Sequence, residues 1–556
     1  MRWLSAVACH VVLLWSVVIH AEQPPQQAYV SSAHPLASAA GIEVLKQGGN
    51  AIDAAIAVTA ALAVVEPYGS GLGGGGFYLI RQAHKQPTYQ FLDARERAPF
   101  AAHPDLYRVD GDIDPELSLN GALAAAIPGI PAALDELSKQ HTRLTLADNL
   151  APAIALARDG FAIDTVYQER AGWRLTALQQ NPESARIFLD QQQIPEQGWI
   201  LRQPELANTL SMLAKQGGRS FYQGAFAQQL VSSVQQAGGI WSLPDLAKYR
   251  VKWRQPLIVP LAEQRQLITA PPPSAGGIAI AQSLLMLQRL PWQQAEPAQR
   301  AHYVAEVFRR AYRDRGLLGD PDFINNPVKD LLARQHIVEM ADSIQVDQAT
   351  ASASLTPGSA AHEGDHTTHF AILDQQGNAV AATLSLNMMF GAAFTVPGTG
   401  VLLNDEMDDF AADLTGSNAY GLTGSVANKI EAGKRPLSSM SPSFLEGPNE
   451  FSAFGTPGGS RIPSMNVLAM LEHLAGKQPE QWVASPRIHH QYLPDVLGFE
   501  PGALTPQQQQ RLTKKGHKLR ELTRNYGNQQ VLWWHKESGQ SAAASDPRGQ
   551  GTSLSY

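Results

Sequence analysis

A threonine pair, Thr367-Thr368, stands where a polar tract rich in Ala, Ser, Thr and Gln (346–364) gives way to a run of period-two alternation. A threonine hydroxyl is a weak nucleophile and needs a base. A cut between His366 and Thr367 would supply one from the threonine itself, because a free α-amine titrates at roughly 7.7–8.0 when unperturbed. Such a nucleophile needs no histidine. It does need backbone N–H groups to hold the oxyanion at the carbonyl it attacks. Gly458-Gly459, following a strand pattern at 451–455 and Pro457, is placed to present them. Ser438-Ser439 ends the proline-bounded segment Lys434-Arg435-Pro436-Leu437. Spacing alone leaves the plainer alternative open, a threonine pair at an ordinary loop-to-strand edge.

Other groups with chemical potential read as structural. Gly71-x-Gly73-x-x-Gly76 matches a dinucleotide fingerprint by letter. That fingerprint needs a strand before it and a helix after, and here the order is reversed, so no cofactor is expected. His362, His366 and His369 have metal-like spacing, but a strand sends His366 and His369 to opposite faces, and no metal is expected. His489-His490 lacks a third ligand. Asp408-Asp409 taken alone reads as a solvated acidic pair. No Gly-x-Ser-x-Gly elbow occurs in a strand–turn–helix setting.

The elements that must position Thr367 span a chain of 556 residues, long enough for a large core. The formal net charge is -7 without any Lys/Arg run, which argues against nucleic acid or an anionic membrane as partner. Residues 1–21 read as a cleaved signal peptide: basic Arg2, an apolar run from Leu4 to Ile19, small Ala21, then polar residues. The apolar run is short for a membrane anchor. Cys9, the single cysteine, falls inside it, so the mature chain has neither a disulfide nor a cysteine nucleophile. A strand is predicted at 28–32, helices at 34–47 and 51–65, and strands at 77–81 and 89–93. The region 104–345 reads as mostly helical. From Thr367 onward strands are predicted at 367–374, 379–387, 400–404, 451–455 and 530–535, with helices at 462–474 and 505–515. Strands from both ends of the chain with helices between them suggest a layered sheet sandwich covered by helices.

Several motifs in order carry a resemblance that covers about residues 28–556. They include Gly48-Gly49-Asn50-Ala51-x-Asp53-Ala54-Ala55, the run Gly73 to Gly76, Asp93-x-Arg95-Glu96-x-Ala98-Pro99, Pro271-Pro272-Pro273-Ser274-x-Gly276-Gly277 and Leu318-Gly319-Asp320-Pro321-Asp322-Phe323. Thr367-Thr368-His369, Met407-Asp408-Asp409-Phe410, Pro436-Leu437-Ser438-Ser439-Met440, Pro457-Gly458-Gly459 and Ala544-Ser545-Asp546-Pro547-Arg548 follow. Any one is weak; the ordered set is specific. The chain resembles the bacterial periplasmic γ-glutamyltranspeptidase family (γ-glutamyltransferase, glutathione hydrolase), whose members are N-terminal nucleophile hydrolases.

The resemblance implies an α/β (α+β) fold, the four-layer αββα sandwich. It implies a periplasmic precursor that cuts itself between His366 and Thr367 into a large subunit (22–366) and a small catalytic subunit (367–556), which stay together as one intertwined domain. Mature Thr367 would take a γ-glutamyl group from glutathione or a similar compound and pass it to water or to an amino-acid or peptide acceptor. By the same resemblance, Gly458 and Gly459 hold the oxyanion and Ser385 helps activate Thr367. Arg95, Ser438 and Ser439 receive the α-carboxylate of the glutamyl head, and Asn387, Glu406 and Asp409 receive its α-ammonium. Residues 411–433 would form a lid carrying Tyr420. Three positions depart from the family pattern: Ser385 for a threonine, Asp405 for the second asparagine of a pair, and Thr456 for a serine. Two rival functions remain: a glutaryl-cephalosporin-type acylase of the same family, and an inactive periplasmic binding protein.

Overall fold

The computed structural model describes residues 22–355, 366–411 and 425–556, with His366 described by its backbone alone. Residues 1–21 with Cys9, the end of the polar tract with His362, and Tyr420 with most of the expected lid lie outside the described residues.

Two main sheets, of seven and six strands, carry the fold. In chain order their strands are β1 (Tyr29–Ser32), β2 (Gly75–Gln82), β3 (Thr88–Ala94), β4 (Lys252–Arg254), β5 (Leu257–Pro260), β6 (Gln266–Thr269), β7 (His366–Leu373), β8 (Ala379–Asn387), β9 (Ser443–Glu446), β10 (Glu450–Gly455), β11 (Gln530–His535), β12 (Ser541–Ser545) and β13 (Thr552–Ser555). The larger sheet runs β13-β1-β7-β8-β2-β3-β4 and the smaller β12-β11-β10-β9-β6-β5. Every neighbouring pair is antiparallel. β1, from the start of the chain, therefore lies between β13, from its end, and β7.

The layers follow from side-chain alternation. Along β7, Phe370 and Ile372 pack with the helices Pro35–Lys46 and Ala51–Val65. Ala371 and Leu373 face the second sheet, among Phe444, Phe451 and Leu532. On the far side of the smaller sheet the helices Gly276–Leu287, Pro297–Asp314 and Ile462–Leu474 close the fourth layer. This is the αββα sandwich. The alternation puts Thr367 on the inter-sheet face and Thr368 on the helix face.

The helix Ala51–Val65 is buried along its whole length, as its apolar sequence predicts, and Asn50 and Asp53 form the expected capping box. Other expectations change. The strand predicted at 400–404 shrinks to Val401–Leu402, paired with Thr395–Val396 outside both main sheets. The helical reading of 104–345 missed β4, β5 and β6. Strands of three or four residues offer too few alternations to separate from helical spacing.

Candidate active site

A register shift marks the junction itself. β7 pairs with β8 so that Thr367 faces Ser385 and His366 faces Asn387, with a bulge between His366 and Thr367. Bulges re-aim side chains at sheet ends. Thr367 Oγ1 accepts a hydrogen bond from the Gly458 backbone N–H at 3.3 Å. Gly458 (φ 131) and Gly459 (φ 53) occupy left-handed backbone, which a side chain would strain. That path turns the chain out of β10 and into the helix Ile462–Leu474. Their amides lie just upstream of a helix N-terminus, a setting that favours negative charge.

Ser385 stands directly opposite Thr367, a pairing that brings Cβ atoms to about 4.5–5.5 Å. Its Oγ accepts from the Asn387 N–H at 2.8 Å, so a local bond holds the serine where a threonine's methyl would bias the rotamer. Close approach of the glycine run leading into β2 backs this arrangement: a Cβ on Gly74 would lie 2.1 Å from the Ser385 carbonyl oxygen. The glycine run is thus a packing surface for β8.

The second cluster forms around Arg95, just past β3. Its Nη1 donates to Glu406 Oε2 at 2.6 Å, and Nη2 pairs with Asp409. Nε and Nη2 donate to the carbonyls of Pro436 (3.2 Å) and Leu437 (3.3 Å). Glu406 and Asp409 lie on one 3₁₀ turn, Glu406–Asp409. Ser438 and Ser439 follow on the same buried stretch that Arg95 grips. The expected carboxylate-binding cation and ammonium-binding acids therefore pair with each other here.

That cluster is rich in acid. Glu96 is fully buried, and among the described residues neither of its carboxyl oxygens has a hydrogen-bond partner. Burial pushes Glu96 and Glu406 up to about 8 against the pull of Arg95. One guanidinium cannot keep every neighbouring carboxyl ionised. Asp409 therefore does not belong to a solvated acidic pair; it is buried, whereas Asp408 is half-buried and accepts from Ser118 Oγ at 2.6 Å.

Supporting contacts that sequence reading missed come from side chains bonded to backbone. Asn428 Nδ2 donates to the Asp409 carbonyl (2.7 Å) and its Oδ1 accepts from the Leu437 N–H (2.9 Å), tying the acidic turn to the serine stretch. Asn404 bonds Gly73, Ala126 and Glu406 backbone groups. Asp405 accepts from the Met388 N–H at 3.0 Å and from Asn387 Nδ2. Burial raises its carboxyl well above the usual range, against the pull of Arg174.

The described histidines singled out by spacing, His369, His489 and His490, are engaged in hydrogen bonds. His369 Nδ1 meets Thr383 Oγ1 at 2.9 Å, and burial lowers the ring to about 3. His489 bonds Ser464 and Gln491, and His490 bonds Asp495. Among the described residues one trio, His302, Glu306 and His517, has donor atoms within 4.8 Å of one another. The Glu306 carboxylate is engaged by Arg309, Arg310 and the Thr350 N–H, and the two imidazoles bond each other at 2.8 Å. Together they clamp residues 345–350 ahead of the junction.

A cavity of about 380 Å³ is lined by Thr367 and Gly458 together with Glu66, Arg170, Arg461 and Arg524. Glu66 lies on the helix side of β7, where Thr368 Oγ1 donates to it at 2.6 Å and Tyr68 OH at 3.3 Å. Burial pushes it up to about 7 from 4.5. A carboxyl raised in the fold keeps its proton longer there than in the unfolded chain. Its contribution to stability therefore falls as pH rises from about 4.5 to about 7, and is level above. Glu66→Gln keeps an acceptor for Thr368 and removes the ionisation. Thermal unfolding should show the variant gaining up to about 3 kcal/mol on the wild type at pH 8 relative to pH 4.5. An equal margin at both pH values would refute the assignment.

A profile described as Gamma-glutamyltranspeptidase matches residues 37–556. The glutathione hydrolase proenzyme of Pseudomonas sp. (strain A14) is 39% identical over 498 residues, spanning 88% of this chain and 86% of that one. Among solved structures, a cephalosporin acylase from Bacillus halodurans superposes with a TM-score of 0.83 at 26% identity, covering 100% of this chain and 98% of that one. Helicobacter pylori gamma-glutamyltranspeptidase gives a TM-score of 0.57 at 34% identity, covering 59% of this chain and 94% of that one.

Proposed function

The chain belongs to the gamma-glutamyltranspeptidase family, and from that premise we propose that it is a self-processing γ-glutamyltransferase with glutathione hydrolase activity, Thr367 being its nucleophile. The observation that carries the reading is the Gly458 N–H on Thr367 Oγ1, at a bulged junction opposite Ser385.

In the precursor, Thr367 Oγ attacks the His366 carbonyl carbon, the peptide C–N bond breaks, and water opens the resulting ester. The products are residues up to His366 and the chain 367–556, joined as a heterodimer. The released α-amine of Thr367 then takes the proton from Oγ as it attacks the γ-carbonyl of the donor. The Gly458 and Gly459 amides stabilise the oxyanion. When the intermediate collapses, the leaving amine receives that proton and a γ-glutamyl ester remains on Thr367. Water releases glutamate; an amino-acid or peptide amine gives a new γ-glutamyl amide. Arg95 with Ser438 and Ser439 orients the head by its carboxylate, and Asp409, Glu406 and Asn387 by its ammonium. Residues 1–21 direct the precursor to the periplasm. No helix among the described residues is long and apolar enough to cross a membrane.

The likeness to a cephalosporin acylase over the whole chain favours a second reading, an acylase for glutaryl side chains. A glutaryl group lacks the α-amine, and would leave Asp409 and Glu406 facing no ammonium. Turnover of γ-glutamyl-p-nitroanilide should exceed that of glutaryl-p-nitroanilide by at least about a hundredfold in kcat/KM, since a site built for a donor rejects an analogue without it. Faster glutaryl turnover would hand the function to the acylase.

A further inference from the structure

We infer that the cavity beside Thr367 is the subsite for the leaving group and the acceptor, and that it recognises the carboxylate those groups carry. The inference rests on the γ-glutamyl reading above and names what the other half of the substrate binds.

None of the residues assigned to the glutamyl head lines this cavity, whereas Thr367 and Gly458 do. An acyl carbon bonded to Thr367 Oγ with its head at Arg95 turns its remaining substituent away from that cluster. The cavity is where that substituent has room, and its volume of about 380 Å³ suits a dipeptide.

Its charge is positive. Arg170, Arg461 and Arg524 line it. The Arg170 and Arg524 guanidinium carbons lie 4.4 Å and 3.8 Å from the centre of the Trp173 ring. Stacking on an indole holds a guanidinium in place while leaving its N–H edge for a ligand. Among the described residues no carboxylate lies within 4.0 Å of Arg170. Arg524 meets Glu169 at 3.5 Å, on side chains about half exposed. Burial lowers Arg170 below its usual value; Glu169, which also lines the cavity, pulls the other way and Arg524 adds to the lowering. Glu66, the buried acid of the cavity, is pushed up to about 7 by burial, so at neutral pH it offsets only part of the charge of the arginines. A free carboxylate from an amino acid or short peptide supplies the missing anion, and a guanidinium binds it with paired N–H bonds.

The test compares glutathione with its glycine ethyl ester, donors that differ in the far carboxylate, on the processed wild-type enzyme and on Arg170→Gln and Arg524→Gln. The readout is the ratio of kcat/KM for the two donors within each protein, so a general loss of activity cancels. The wild type should favour free glutathione by about tenfold, the effect of one charge-assisted contact, and the ratio should fall to about twofold or less in Arg170→Gln. Arg524→Gln, at the exposed rim, should reduce the ratio partly. Equal use of both donors by the wild type would overturn the subsite. So would a ratio unchanged in both variants. A wild type that hydrolyses neither donor nor γ-glutamyl-p-nitroanilide would instead overturn the γ-glutamyl reading itself.

Discussion

Thr367→Ala should run as one uncut chain on a denaturing gel and lose γ-glutamyl turnover by roughly 10⁴-fold or more. Two separate functions vanish with one oxygen. The first is attack on the His366 carbonyl, without which no α-amine is released. The second is formation of the ester with substrate. The fold should survive, because Thr367 contributes to β7 through its backbone and the Oγ lost is the one bonded to the Gly458 N–H. Thr367→Ser restores the hydroxyl without the methyl and should still cut, more slowly. N-terminal sequencing of the smaller wild-type band should begin at Thr367. An alanine variant still cut after His366 would defeat the mechanism.

Arg95→Gln should lower kcat/KM for γ-glutamyl donors by about a thousandfold, mostly through KM. A buried guanidinium that receives a carboxylate by two charge-assisted bonds contributes about 1.5–3 kcal/mol through each. The substitution also leaves Glu406 and Asp409 without their shared cation. Breaking a buried ion pair costs about 3–5 kcal/mol when the partner stays charged. Here Glu406 is already pushed up to about 8, so protonation at low pH relieves part of that loss. The sign is therefore set: the variant should be destabilised more at pH 8 than at pH 5. Arg95→Lys keeps one charge but cannot span Glu406, Asp409 and the carbonyls of Pro436 and Leu437 together. Steady-state kinetics with γ-glutamyl-p-nitroanilide and melting curves at both pH values provide the measurements. A wild-type KM in Arg95→Gln would remove Arg95 from the head subsite.

The hairpin that begins at Thr367 was legible in local pattern. Alternation from Thr367, the turn at 375–378 and alternation again to Asn387 define a hairpin. Its register was not: strands ending at 374 and restarting at 379 would set Thr367 against Leu386, whereas Leu373 pairs with Ala379 and Thr367 with Ser385, a one-residue difference that decides which side chain faces the threonine. Gly458-Gly459 after a strand was legible in local pattern too. The Arg95 cluster was not, since Arg95, Glu406, Asp409 and Leu437 are far apart in sequence and no spacing rule joins them; only resemblance to a family did so. Neither did resemblance show that the arginine and the acids face each other. Asn428 and Glu66 left no signal, because one acts by bonding two backbone groups and the other by burial beneath Thr368. The short strands β5, β6 and β9 carried too few residues to declare a period, and the polar β13 showed no apolar face.

The strand order has a further consequence for a chain cut at residue 366. β1 is sandwiched between β13 and β7, β8 pairs with β2, and β9 pairs with β6, so the seams between the two products run through the middle of both sheets. Dilution cannot separate such halves, because parting them means tearing open the core. Nor can one half be traded for another while the protein stays folded. What the cut changes is the way back. An intact precursor refolds as a first-order process, whereas two severed chains must first find each other, so their recovery slows as concentration falls. The processed protein would then owe its persistence to the height of its unfolding barrier, with self-cleavage acting as a ratchet that is passed once, after folding, and not retraced.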